Sequence, residues 1–282
     1  CHADLVYYRH APVEFDAALI APARALYVSR GRGPLGLILR LRALLKANQY
    51  DVVHGFKDSP SFYACVAGRL AGIPVVLGGY RSQYCGSGLI RICDKIVDRL
   101  ADGWIVNARS IIPTLVAGIG AKADRIDVVH NGIELEAFQI DMTPHQARTQ
   151  LGLDPDSAIV SIVAVLREEK NHEMFLAVAA ELVRSNRRMT FLIVGDGPRK
   201  DHLHRRVEQL GLSDHIQFLG MRHDIPRILA ASTVSILTSP REGSANILIE
   251  SMAAGVPIVT TDFAGVDDMI QDGREGFVVP FN

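Results

Sequence analysis

The stretch Val234-Ser235-Ile236-Leu237-Thr238-Ser239-Pro240-Arg241-Glu242-Gly243-Ser244-Ala245-Asn246-Ile247-Leu248-Ile249-Glu250 decides the fold. Its opening residues are β-branched and apolar and read as a strand, and Pro240 with Gly243 marks a turn. From Ala245 onward the apolar spacing is helical. The order strand, loop, helix is the unit of a doubly wound parallel sheet, whose ligands bind outside the carboxyl ends of the strands. Gly243 permits close backbone approach, and the free N–H groups at the helix start favour an anion such as a pyrophosphate. Glu242 stands just before the helix and Glu250 lies within it, roughly 12 Å away at 1.5 Å per residue. One carboxylate on each side of a bound diphosphate is one reading. N-terminal helix charge plus a solvated face is the other, but Glu250 sits in a strongly apolar helix, where a carboxylate needs a partner.

The same alternation runs through the chain. Strands are expected at 5–8, 51–54, 74–77, 104–106 and 126–129, with crossover helices at 35–47, 59–71, 89–101 and 110–119. A polar stretch from Ile133 to Ser157, holding Thr143-Pro144 and Asp154-Pro155, reads as a linker around one short helix. Strands resume at 159–165, 190–195, 216–219, 234–238, 257–261 and 276–279, with helices at 172–185, 198–210, 225–231, 245–254 and 266–270. The expected fold class is α/β, two Rossmann-like domains facing a cleft, over residues 1–140 and 141–282. Nothing ahead of residue 5 reads as an opening strand, glycine-rich turn and helix, and no helix follows 276–279. The first strand and helix of the front domain and the closing helices of the second are therefore expected to be missing.

Composition fits this reading. The 282 residues make two domains at roughly 150 each, and 48% apolar with 22% charged is globular. The longest largely apolar stretch, 158–166, is far short of the ~20 residues that span a bilayer. A net charge of −1 argues against a nucleic-acid binder held by phosphate contacts. Residues 1–150 nevertheless carry 17 Lys and Arg against 13 Asp and Glu. Helix 35–47 sets Arg40, Arg42 and Lys46 among leucines, and helix 89–101 sets Arg91, Lys95 and Arg99 beside isoleucines. Peripheral contact with an anionic leaflet is one expectation from these helices, and apolar residues facing the sheet with solvated arginines is the other. Cys1, Cys65, Cys85 and Cys93 show no metal spacing and read as reduced cytosolic thiols.

Two further loops fall at the same sheet edge. Gly195-Asp196-Gly197-Pro198 follows a strand with proline at a first helical position, and Arg167-Glu168-Glu169-Lys170-Asn171-His172 places two cations where a diphosphate would lie. Each alone is an ordinary turn or a solvated charge run. Their convergence is the signal. Asp154-Pro155-Asp156 imitates a D-x-D metal signature but reads as a turn or cap, and no metal or cofactor site is expected.

With Met252-Ala253-Ala254-Gly255-Val256-Pro257-Ile258-Val259, Phe218-Leu219-Gly220, Asn131-Gly132-Ile133, Asp272-Gly273 and Gly276 with Pro280, these motifs resemble family four of the retaining glycosyltransferases, over nearly the whole chain. The resemblance implies the two-domain GT-B fold and sugar transfer from a nucleotide-diphosphate sugar, most commonly a UDP-sugar. It implies that Glu250 takes the ribose hydroxyls, Glu242 the transferring sugar, and Lys170 the diphosphate, without metal. Gly243, Ser244, Ala245 and Asn246 would bind the donor, as would Gly195 and Gly197, and Gly220-Met221-Arg222 would approach the base.

The chain departs from the family pattern in places. Where the family usually has an arginine five residues before the lysine stands Val165, so Arg167 is the candidate substitute. Where it often has a histidine in the front domain stand Gly78-Gly79-Tyr80-Arg81-Ser82, and Asn107 is followed by Ala108 in place of serine. His54, Arg81 and Asn107 are the acceptor-side candidates. The acceptor expected is a glycan, a lipid-linked sugar or a small molecule, at a cytoplasmic site or peripherally on the inner membrane face. A sugar-nucleotide 2-epimerase and a non-catalytic nucleotide-sugar-binding module are the competing readings.

Overall fold

The computed structural model describes residues 2–8, 23–31, 33–81, 88–185 and 188–281. Two compact units divide the chain, Cys1–Val129 and His130–Asn282.

In the first unit the order is β1 (Asp4–Tyr7), β2 (Arg24–Tyr27), α1 (Gly33–Asn48), β3 (Val52–His54), α2 (Asp58–Ala71), β4 (Val75–Tyr80), α3 (Leu89–Leu100), β5 (Gly103–Val106), α4 (Ile111–Ile119) and β6 (Ile126–Val128). Strands β3, β4, β5 and β6 form a parallel sheet in that order, and β1 and β2 form a separate parallel pair. Leu37, Leu41 and Leu45 of α1, with Val76, Tyr80, Trp104 and Leu115, belong to one core. Sequence periodicity does not announce β2. Arg24-Ala25-Leu26-Tyr27 is short and three of its four residues are exposed, so there is no buried run to read.

The second unit holds α5 (Pro144–Gln150), β7 (Ala158–Val163), α6 (His172–Ser185), β8 (Met189–Val194), α7 (Lys200–Gln209), β9 (Ile216–Gly220), α8 (Ile225–Ala231), β10 (Val234–Leu237), α9 (Asn246–Ala253), β11 (Ile258–Thr261) and β12 (Gly276–Val279). Its six strands run parallel in the order β12-β11-β10-β7-β8-β9, the Rossmann arrangement. Successive residues of β7 and β8 point to opposite faces. Val160, Ile162, Phe191 and Ile193 meet Phe175, Leu176, Leu203 and Val207 of α6 and α7, while Ile159, Leu192 and Val194 meet Ile228 of α8. Burial on both faces is why these strands read as nearly unbroken apolar runs. The helix expected at 266–270 is only a 3₁₀ turn, Val266–Asp268, entered through Gly265 at φ 91°.

The units part some ten residues before the boundary read from the sequence. Phe138, in the 3₁₀ turn Leu135–Phe138, packs into the core of the second unit with Leu237 and Leu248. Cys65 and Cys93 are free thiols; Cys1 and Cys85 lie outside the described residues. Among the described residues no helix is long and apolar enough to cross a membrane. Leu35 and Leu39 on α1 and Leu89, Ile90 and Ile92 on α3 are exposed, but Arg42 and Arg91 beside them donate to the carbonyls of Leu70 and Gly118.

Candidate functional site

Strand order reverses between β7 and β10, which pair directly, so the loops after these two strands flank the sheet's natural ligand crevice. The loop after β7 passes a 3₁₀ turn, Glu168–Lys170, and enters α6 through Asn171, whose φ of 46° lets the chain turn sharply. Two glycines fix its course. A Cβ on Gly195 would lie 2.1 Å from the Ala164 carbonyl oxygen, and one on Gly197 would lie 2.7 Å from that of Leu166. Across this contact the Leu166 N–H donates to Asp196 O (3.0 Å) and the Arg199 N–H to Leu166 O (3.0 Å), while the Gly195 N–H donates to Gly220 O (2.8 Å). The G-x-G-P motif thus joins the loops after β7, β8 and β9.

Lys170 Nζ donates to Glu242 Oε1 at 2.5 Å, bridging the loops after β7 and β10. Thr238 Oγ1 donates to the Lys170 carbonyl (2.9 Å), pinning the same loop from the main-chain side. The lysine side chain is 24% exposed and the glutamate 11%, so the pair is only partly screened. Beyond Glu242, the N–H groups of Gly243, Ser244 and Ala245 find no acceptor among the described residues, and they lead into the amino terminus of α9. Free N–H groups plus a helix dipole form an anion seat. The Glu250 carboxylate makes no hydrogen bond or ion pair among the described residues, and burial raises its pKa above the ordinary glutamate value. Asn246 accepts from the Asn131 amide (2.7 Å), joining the Asn131-Gly132-Ile133 loop to the helix start.

Sequence reasoning missed three buried polar groups in this neighbourhood. Both ring nitrogens of His172, Ser239 Oγ and Ser251 Oγ have no hydrogen-bond partner among the described residues. Each lies within three positions of Lys170, Glu242 or Glu250. Unpaired buried polar groups are rare enough to call for an explanation, and no local sequence pattern signals them. Burial pushes the His172 imidazole down to about 4. The unfolded chain therefore binds a proton that the folded chain refuses between about 6.5 and about 4. Stability contributed at neutral pH is lost as the pH falls through that window. Replacing His172 by leucine is expected to shrink the drop in melting temperature between pH 7 and pH 5, and an unchanged drop would contradict the assignment.

Other candidates are placed differently. Arg167 pairs with Glu169 at 3.7 Å, both well exposed, and is not brought to the Lys170–Glu242 pair. Gly220 turns at φ 67° and leaves Met221 71% exposed, while Arg222 grips Asp224 through two hydrogen bonds of 2.7 and 2.6 Å. That grip holds the Asp224 carboxyl below the usual carboxylate range. In the first unit, His54 Nε2 and Asn107 Oδ1 are buried without a partner among the described residues, and the Arg81 guanidinium lies 4.3 Å from the centre of the Phe56 ring. Burial lowers the His54 pKa, with Arg81 adding to it. A Cβ on Gly79 would fall 2.2 Å from the Gly55 carbonyl oxygen, so no larger side chain fits there. In the Asp154-Pro155-Asp156 turn, Asp154 accepts from the Asp156 N–H and both carboxylates face Arg188. Among the described residues no three His, Cys, Asp or Glu side chains converge as a metal site.

Residues 145–282 match the family described as glycosyl transferases group 1, and residues 2–137 match glycosyltransferase family 4. The chain is 28% identical over 271 residues to alpha-D-kanosaminyltransferase of Streptomyces kanamyceticus, covering 88% of this chain and 69% of that one. It is 26% identical to the UDP-Gal:alpha-D-GlcNAc-diphosphoundecaprenol alpha-1,3-galactosyltransferase of Escherichia coli, covering 87% and 66%. Among solved structures, Anabaena HepE in complex with UDP and glucose superposes with a TM-score of 0.82 at 19% identity, over 99% of this chain and 86% of that one. Sucrose-phosphate synthase of Thermosynechococcus elongatus gives 0.77 at 20%, over 99% and 76%. At such identities the structures show a shared GT-B fold.

Proposed function

We propose that the protein, whose two halves match the models of glycosyltransferase family 4 and of glycosyl transferases group 1, transfers a hexose-type sugar from a nucleoside-diphosphate sugar, with retention and without a metal ion. The observation that carries this reading is the set of N–H groups of Gly243, Ser244 and Ala245, with no acceptor among the described residues, on the same loop and helix as Glu242, the partner of Lys170, and Glu250.

The diphosphate lies against the three N–H groups, and Lys170 turns from Glu242 to neutralise it. Glu242 then accepts from a hydroxyl of the transferring sugar. Glu250, eight residues beyond Glu242 and on α9, accepts from the vicinal ribose hydroxyls, a match for a carboxylate that offers acceptors only. The bond from the anomeric carbon to the diphosphate oxygen breaks, the acceptor oxygen bonds to that carbon on the same face, and its proton passes to the departing diphosphate. No protein nucleophile is needed. Uridine is the base proposed, and the acceptor class is a glycan, a lipid-linked sugar or a small molecule. The named relatives are transferases, which favours this over an epimerase.

Differential scanning fluorimetry in excess EDTA tests the donor reading. UDP at 100 times its dissociation constant is expected to stabilise the chain by about 2.7 kcal/mol. No shift with any nucleoside diphosphate would overturn the donor site, and a shift or turnover that needs added magnesium or manganese would overturn the metal-free part.

A further inference from the structure

Arg199 touches the Lys170 loop at both of its ends. Residues 166–173 carry the chain from the exit of β7 into the first turn of α6, and Lys170 sits between, at the end of the 3₁₀ turn Glu168–Lys170. Arg199 stands just ahead of α7, two residues after Gly197. Its N–H donates to Leu166 O at 3.0 Å, where the loop starts, and its guanidinium donates to the Glu173 carboxylate, where the loop ends. His202 of α7 bonds the same carboxylate oxygen at 3.0 Å, so Glu173 is held from two positions three residues apart. The ion pair is sheltered, with the arginine side chain 25% exposed and the glutamate 33%. A pair so placed is less screened than Arg184 with Glu181, both mostly exposed on α6.

Within the loop the Lys170 N–H donates to Arg167 O (3.2 Å), the Asn171 N–H to Glu168 O (3.0 Å), and Thr238 Oγ1 to the Lys170 carbonyl (2.9 Å). These bonds shape the turn, and Arg199 ties its two ends to one residue. A lysine is a point charge on a flexible four-carbon stem, so its ammonium depends on where the main chain carries it. The charges of Glu173, Lys170 and Arg199 all act on the buried His172 ring, which makes the clasp and the lysine neighbours of one side chain.

We infer that Arg199 is a positioning residue for Lys170: through Glu173 it sets the loop that presents the lysine to the diphosphate, and it touches neither phosphate nor sugar itself. The inference rests on the donor reading above. A misplacement of about 1 Å at a catalytic group can cost on the order of 10²-fold, so an ion pair outside the site reaches into it through the loop.

Calorimetric titration with UDP, with a melting curve for each variant, tests this. UDP carries the charge of the departed diphosphate, so its affinity reads Lys170. Arg199→Ala is expected to raise the Kd by roughly fivefold or more. Arg199→Lys, which keeps a cation for Glu173, should stay within about twofold of the parent. Glu173→Ala should weaken UDP as Arg199→Ala does, although it sets the arginine free. An arginine that bound phosphate itself would hold UDP as well or better once released. Glu173→Ala leaves α7 untouched and decides the matter if Arg199→Ala does not fold. In a Lys170→Ala background neither substitution should weaken UDP further. Unchanged or tighter binding by Glu173→Ala would overturn the inference, and so would equal losses with and without Lys170. If Lys170→Ala itself binds UDP as the parent does, the donor reading falls, and the inference with it.

Discussion

Replacing Lys170 by alanine is expected to lower kcat by about 10²–10³ while the variant remains folded. On the proposed reading charge builds on the diphosphate as the sugar bond breaks, and the cation that meets it is Lys170, whose Nζ lies 2.5 Å from Glu242 Oε1. An interaction that strengthens during bond breaking shows in kcat more than in KM. Arg167 of the same loop pairs with Glu169 at 3.7 Å, both well exposed. Steady-state kinetics with a melting curve checks this. A folded variant with kcat within threefold of the parent would remove Lys170 from the transition state.

The second large effect falls on Glu250. Glu250→Ala is expected to cost about 1.5–3 kcal/mol of UDP affinity, or roughly 10- to 150-fold, by removing a charge-assisted acceptor from two ribose hydroxyls. Glu250→Gln should separate binding from folding. Because burial raises the carboxyl pKa, the folded chain holds a proton that the unfolded chain releases, and stability is lost as pH rises from the ordinary glutamate value through the raised one. At a pH above both values that loss is complete. The glutamine variant should therefore melt higher than the parent without ligand while binding UDP more weakly. Unchanged calorimetric affinity would reject the ribose role, and a lower melting temperature would reject the account of burial.

Much of this architecture was legible because it rests on burial. β7 and β8 are covered on both faces and show as apolar runs, and the loop from Ser239 to Ala245 shows because proline and glycine interrupt the period. β2 was not legible, since an exposed four-residue strand leaves no hydrophobic trace. Phe138 looked like linker because its partners Leu237 and Leu248 lie about a hundred residues away. At the site, Glu242, Lys170 and Glu250 could be singled out by type and spacing. Gly195 and Gly197 also let two loops touch, which depends on Ala164 and Leu166 more than on any local pattern. His172, Ser239 and Ser251 stay silent in sequence because an unsatisfied hydrogen bond is a property of the surroundings.

If Lys170 and Glu242 serve the donor as proposed, their pairing also sets which anions the site favours. A lysine already neutralised by a carboxylate exerts little pull at a distance, so a passing anion is sorted on contact and gains little from electrostatic steering. Inorganic phosphate that captured the lysine would strand Glu242, only 11% exposed, with no counter-charge, and that desolvated charge is costly. A sugar nucleotide brings its own remedy, since the hydroxyls of the hexose give the released carboxylate new donors. On the proposed donor reading, the pair therefore favours a ligand that brings phosphate and sugar together over a small anion that brings charge alone.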